Sequence, residues 1–226
     1  MFPRAWSPMG LETKAEFELA SSSIEVEAFI LVGGRSSRFG GYPKGLLTVG
    51  GEHLVDTLAR QLSPFASQLT LLGDPAGDYA MLGYPIRWEP ERGRGAVGAV
   101  YGALSLSRAA YCWIFACDLV GVQKKSLRRL LQCAEDAEQL PPERRPCYFG
   151  YRDLHGPQPL AGLWSKRALA DLPPLAQGRD LPPLRGLIHT CRGSLVELPR
   201  EEQWAHWNRP EDRAPSGDQP APKSCR

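Results

Sequence analysis

The chain has 226 residues, 42% of them apolar and 23% charged, with a formal net charge of +2. This length suits one well-buried α/β core and falls short of two full domains, and the near-balanced charge argues against a nucleic-acid partner. No stretch approaches the roughly 20 apolar residues of a membrane span, and Glu12, Glu16 and Glu18 interrupt the basic-then-apolar order of a secretory signal, so a cytoplasmic protein with no membrane partner is expected.

Residues 1–24 carry no period and are expected to form a flexible extension, with Met9 as an alternative start. A domain over 25–213 follows, and 214–226, rich in Pro and Ser, reads as a disordered tail. Val26 to Val32 is a buried strand running into Gly33-Gly34. Leu54, Val55, Leu58, Ala59 and Leu62 form a helical stripe. Gln68 to Leu72 and Pro85 to Trp88 are short strands, the second followed by a charged glycine loop from Glu89 to Gly95. Ala96 to Leu106 is a helix of small residues suited to close packing on a sheet. Tyr111 to Ala116 is a near-continuous apolar run, the pattern of a central strand covered on both faces. A helix is expected over 124–139, and strands near 147–151, 158–164 and 194–198; the prolines after Leu172 obscure the pattern there. Alternating strands and helices predict an α/β fold, a three-layer, Rossmann-like architecture with a mostly parallel central sheet.

Six cysteines are present, none in a CxxC pair, and the four histidines are far apart in sequence. That spacing does not suit a structural zinc site, and Cys112 and Cys117 read as small apolar residues of the buried strand.

The chemistry concentrates between Leu31 and Lys44. A buried strand ends in Gly33-Gly34, where the backbone can turn and approach a ligand without a Cβ in the way. The N–H groups of such a loop can converge on phosphate oxygens, and Arg35, Arg38 and Lys44 add three positive charges. Arg clamps phosphate through paired hydrogen bonds, whereas Lys supplies a point charge. Ligands of open α/β sheets bind at the carboxyl ends of strands, where this loop lies. Its spacing matches neither GxxxxGK[ST] nor GxGxxG, and it is distinct from a P-loop or dinucleotide fingerprint.

This loop resembles the nucleotide signature of the molybdenum cofactor guanylyltransferases, the MobA-like family of the nucleotidyltransferase superfamily, in outline L-A-G-G-x-S-x-R-M-G-x-D-K. Further segments match in order: Glu89 to Gly95, Phe115-Ala116-Cys117-Asp118, His155 to Trp164, and Trp207-Asn208-Arg209-Pro210-Glu211-Asp212. The resemblance spans about Val26 to Arg213 and implies transfer of GMP from GTP to molybdopterin with release of pyrophosphate. It implies nucleotide binding by Leu31, Val32, Gly33, Gly34, Lys44, Glu89 and Asp118, with Arg38, Lys44 and Asp118 in the catalytic role. Glu89 matches an acid that reads guanine. Asn208 either contacts the pterin or caps a helix starting at Pro210. Molybdoenzymes or their chaperones are the protein partners implied.

Asp118, at the end of the central strand, faces the same edge as the glycine loop. Mg²⁺ takes one or two carboxylates together with phosphate oxygens and water, so Asp118 is either its ligand or the N-cap of the next helix. The chain departs from the family outline at Pro43, where Asp is expected; at Gly73-Asp74, where Asn is expected; at Leu119-Val120, where a proline is expected; and in the reduced segment Gly95 to Ala99. Pro43-Lys44 instead resembles the cytidylyltransferases of isoprenoid synthesis. Two alternatives therefore stand beside guanylyl transfer: a related enzyme using CTP or a sugar phosphate, and a non-catalytic module that binds nucleotide or pterin.

Overall fold

The strand residues Val26–Leu31 are all buried, and successive side chains of a strand point to opposite faces, so this segment must be covered on both sides. The computed structural model, which describes residues 22–34, 40–74, 76–90, 94–153, 156–172, 183–199, 202 and 204–207, places it as β1 inside a seven-stranded sheet of order β10-β8-β9-β6-β1-β4-β5. Here β4 is Leu69–Leu72, β5 Ile86–Arg87, β6 Tyr111–Ala116, β8 Tyr148–Asp153, β9 Gly156–Ser165 and β10 Ser194–Glu197. β1 pairs in parallel with both β4 and β6, β4 with β5, and β10 with β8. β9 runs antiparallel to both of its neighbours, β6 and β8.

Alternation along β1 and β6 divides the core. Ala28, Ile30, Trp113 and Phe115 face one side, against Leu58 and Leu62 of helix α1 (Leu54–Leu62) and Leu127, Leu130 and Leu131 of helix α3 (Lys124–Ala137). Phe29, Leu31, Cys112 and Ile114 face the other, against Val100 and Ala103 of α2 (Gly95–Leu106) and Leu187 and Ile188 of α4 (Leu184–Thr190). Helices on both faces of a mostly parallel sheet make the expected three layers. Ser22 Oγ and Ser23 N–H donate to Glu135 of α3 at 2.7 and 2.9 Å, tying the chain before β1 to the helix layer. Among the described residues no helix is long and apolar enough to cross a membrane.

Several elements escape sequence periodicity. A two-residue hairpin, β2 (Thr48–Val49) with β3 (Glu52–His53), turns the chain into α1. The strand expected over Pro85 to Trp88 contracts to Ile86–Arg87, because an edge strand at the end of a short β4 has few partners. α4 lies in the proline-rich stretch and starts directly after Pro183, whose ring suits a helix entrance. Two further residues, Leu119–Val120 (β7), pair antiparallel with Ala205–His206 (β11) and bring the end of the described chain back to the sheet. Asp118 caps no helix: it is followed by β7, and the N-cap of α3 is Gln123. The helix expected from Pro210 lies outside the described residues.

Close packing at the antiparallel edge is testable. A Cβ on Gly162 of β9 would lie 2.6 Å from the Phe149 carbonyl oxygen and from the Tyr148 ring, whereas one on Gly186 of α4 meets nothing within 4 Å. Gly162→Ala should cost about 1–3 kcal/mol as an overpacked site, and Gly186→Ala should stabilise by about 0.4–1 kcal/mol, both read from urea unfolding.

Candidate active site

β1 and β6 run parallel and in register, Leu31 beside Ala116, so the segments that follow them leave the sheet at the same edge. Val32 N–H donates to the Leu72 carbonyl and Cys117 N–H to the Leu31 carbonyl, extending the ladder by one residue past each strand. Beyond that point the backbone departs, and polar side chains can stand without being buried in the core.

Two of the charged residues singled out in the sequence meet here. Lys44 starts a short 3-10 turn, Lys44–Leu46, and its Nζ donates to Asp118 Oδ2 at 3.0 Å. The Asp118 side chain retains 13% of its exposure and that of Lys44 22%, so the pair is shielded but reachable. The other carboxylate oxygen, Oδ1, faces Nδ1 of His206 at 3.3 Å, and Nε2 of the same ring lies 3.1 Å from Gln158 Oε1 of β9. An imidazolium satisfies both partners, as does a neutral ring with the Gln158 amide turned to donate. Burial works against the charge of Asp118, but the hydrogen bonds from His206 and Lys44 outweigh it and hold the carboxyl below its ordinary value of 3.8.

His206 reaches this edge through its neighbours. Glu202, buried, accepts from Ser126 Oγ at 2.5 Å and pairs with Lys125 at 3.0 Å, both on α3. Trp204 packs its ring against Phe115 and Tyr151, with centroids 5.8 and 5.1 Å away. The β7–β11 pairing then sets His206 opposite Leu119, and Trp207 N–H donates to the Asp118 carbonyl at 2.8 Å. Sequence reading weighed the histidines only for zinc spacing and missed His206; its one local signal is a polar side chain set between Trp204 and Trp207.

Gly33 is governed by packing. A Cβ there would stand 2.9 Å from the Gly73 carbonyl oxygen, so the turns after β1 and β4 touch backbone to backbone. Gly73 has φ of 90°, a region that disfavours side chains, and a Cβ on it would lie 3.3 Å from Glu89 Oε1. On its far side Glu89 rests against α2, where a Cβ on Gly102 would lie 3.5 Å from the Glu89 Cα. The carboxyl is thus half-buried in a slot walled by two glycines, and burial pushes its pKa upward. Gly34, at φ of 131°, has open space around it.

The structure therefore brings Leu31, Val32, Gly33 and Gly34, with Glu89, to one side of the strand-end edge, and Lys44 with Asp118 to the neighbouring side. Arg38 and Asn208 lie outside the described residues. The donor set fits a divalent ion that arrives with phosphate: Asp118 offers one ionised carboxylate, and among the described residues no cluster of three or more His, Cys, Asp or Glu side chains forms a complete cage.

Residues 28–193 match the model of the MobA-like NTP transferase domain. A probable molybdenum cofactor guanylyltransferase of Carboxydothermus hydrogenoformans is 34% identical over 107 residues, 47% of this chain and 53% of that protein. The chain spans 53–61% of the length of the first curated relatives it matches. Among solved structures, the molybdopterin-guanine dinucleotide biosynthesis protein A of Archaeoglobus fulgidus superposes with a TM-score of 0.59 at 18% identity, over 76% of this chain and 83% of its own. A manganese complex from Mycobacterium tuberculosis superposes with a TM-score of 0.54 at 20% identity, over 79% and 88%. At these identities the two superpositions bear on the fold alone.

The depressed pKa of Asp118 has a sign that experiment can read. Its stabilisation is complete above the unfolded value near 3.8 and is lost as pH falls through the lower folded value. Asp118→Asn should lower stability near neutrality by about 1.5 kcal/mol, the scale of a charge-assisted hydrogen bond. The two proteins should converge at acid pH, checked by urea midpoints across a pH series.

Proposed function

Because the chain belongs to the MobA-like NTP transferase family, we propose that it is a nucleotidyltransferase that moves GMP from GTP to the terminal phosphate of molybdopterin and releases pyrophosphate. The observation that carries this reading is the Lys44–Asp118 pair, held at the edge where the glycine turn after β1 and the end of β6 converge. A cation and an ionised carboxylate side by side suit a ligand that brings both negative phosphate oxygens and a metal ion.

A phosphate oxygen of the pterin attacks the α-phosphorus of GTP, the bond from that phosphorus to the α–β bridging oxygen breaks, and pyrophosphate carries away the electron pair. The chain contributes position and charge rather than a covalent intermediate. Backbone amides of the glycine turn and Lys44 hold the triphosphate, with Arg38 in the same role. Asp118 would hold the divalent ion, read as Mg²⁺, which supplies charge neutralisation at the phosphates. Lys44 then exchanges the carboxylate for a phosphate oxygen, so its charge stays compensated throughout. Glu89, in its slot beside Gly73, accepts from the guanine N1–H and amino group, and Asn208 is assigned to the pterin side. Molybdoenzymes or their chaperones are the proposed recipients of the product.

The deciding measurement is pyrophosphate release with each nucleotide, with and without molybdopterin, in the presence of Mg²⁺. GTP with molybdopterin should give turnover, and Asp118→Asn should lower it by about a hundredfold or more, the scale of lost electrostatic stabilisation. A preference for CTP would transfer the assignment to cytidylyl transfer, and no release with any nucleotide would leave a binding module. By calorimetry, Lys44→Ala should weaken GTP binding by about 1.5–3 kcal/mol and leave the protein folded. Equal affinity would remove Lys44 from phosphate recognition.

A further inference from the structure

Tyr79 lies in the segment between β4 and β5, has no period to mark it in the sequence, and is 2% exposed. The N–H of Gly45, the residue after Lys44, donates to the Tyr79 oxygen at 3.0 Å, and the side chain of Cys117, the residue before Asp118, packs at the same point. One side chain thus accepts from the turn that carries Lys44 and packs beside the strand end that carries Asp118. The contact is close: a Cβ on Gly45 would stand 2.9 Å from the Tyr79 ring and hydroxyl and 3.3 Å from the Cys117 Cβ.

Tyr79 is itself anchored. Asp74, 1% exposed, accepts from the backbone N–H groups of Asp78 and Tyr79, one on each carboxylate oxygen and both at 3.0 Å. Asp74 directly follows Gly73, the residue packed against Gly33. The chain of contacts runs from the glycine turn through Asp74 and Tyr79 to the two segments bearing the charged pair.

We propose that Tyr79 is a positioning residue that sets the spacing between the Lys44 turn and the Asp118 strand end, with Asp74 holding it in place. This rests on the reading of Lys44 and Asp118 as the charged centre of nucleotidyl transfer. Removing the hydroxyl leaves Gly45 N–H without its acceptor, so the Lys44 turn loses its bond to the side chain packed beside the Asp118 strand end. The cost falls on the coupling of Lys44 with Asp118, since the bond of Tyr79 is to the Gly45 backbone beside Lys44.

The test is a double-mutant cycle on Lys44→Met and Asp118→Asn, read as shifts in the urea midpoint, in the parent and in the Tyr79→Phe background. The coupling between the two charges should fall by at least half in the Tyr79→Phe background. Pyrophosphate turnover should fall about tenfold with the KM for nucleotide changed less than threefold. Unchanged coupling overturns the proposal, whatever the turnover. Absence of turnover in the parent overturns the proposed activity instead, and the coupling still decides the role of Tyr79. Should Tyr79→Phe fail to fold, Gly45→Ala puts a Cβ into the same contact from the other side and must reduce the coupling likewise; if it does not, Tyr79 is a packing residue only.

Discussion

β1, β4 and β6 are covered by helices on both faces, and this constraint orders everything else. A strand shielded on both sides has little water along its length, so a charge within it needs a partner, as Glu27 of β1 has in the Arg108 N–H, and the charges of the candidate site stand at the strand ends. Parallel pairing then brings those ends to one edge: Leu31 and Ala116 stand side by side, and the next residues on each strand open into turns. Lys44 and Asp118, 74 residues apart in sequence, meet there at 3.0 Å. Their partial shielding strengthens the attraction over that of an exposed pair, while the remaining exposure leaves room for a ligand.

Small residues determine what can approach that edge. Gly33 against Gly73, and Gly73 and Gly102 against Glu89, replace side-chain contacts with backbone contacts. The departure from the family outline at Gly73-Asp74 has a structural use in this chain. Gly73 lets two strand-end turns touch, and Asp74 spends both carboxylate oxygens on the backbone leading into Tyr79. The small-residue character of α2 likewise has a local reason, since a larger side chain at Gly102 would press on Pro90 and Glu89.

The antiparallel pair β7–β11 closes the other side. Glu202 and Trp204 fasten the returning chain to α3 and to Phe115, and His206 arrives between Asp118 and Gln158. Under the proposed function, Asp118 would exchange the partners it holds here for a metal ion and Lys44 would exchange the carboxylate for a phosphate. Both charges are compensated in either arrangement, which is what partly shielded ionic groups require.

The sequence by itself determined the layered architecture and the glycine turn. Buried strands and amphipathic helices are written in local periods, and the stripe Leu54 to Leu62 and the run Tyr111 to Ala116 became α1 and β6 with the boundaries their patterns imply. It also marked Lys44 and Asp118, because a cation on a glycine loop and a carboxylate at a strand end are unusual where they stand. Only the tertiary structure decided that these two pair, that Asp118 caps nothing, and that His206 and Tyr79 belong to the same edge. Strand pairs of two residues such as β7–β11, and single side chains that bridge turns, leave no periodic trace in a sequence. Their positions follow from contacts between residues 34 to 88 apart, which exist only once the sheet has brought the strand ends together.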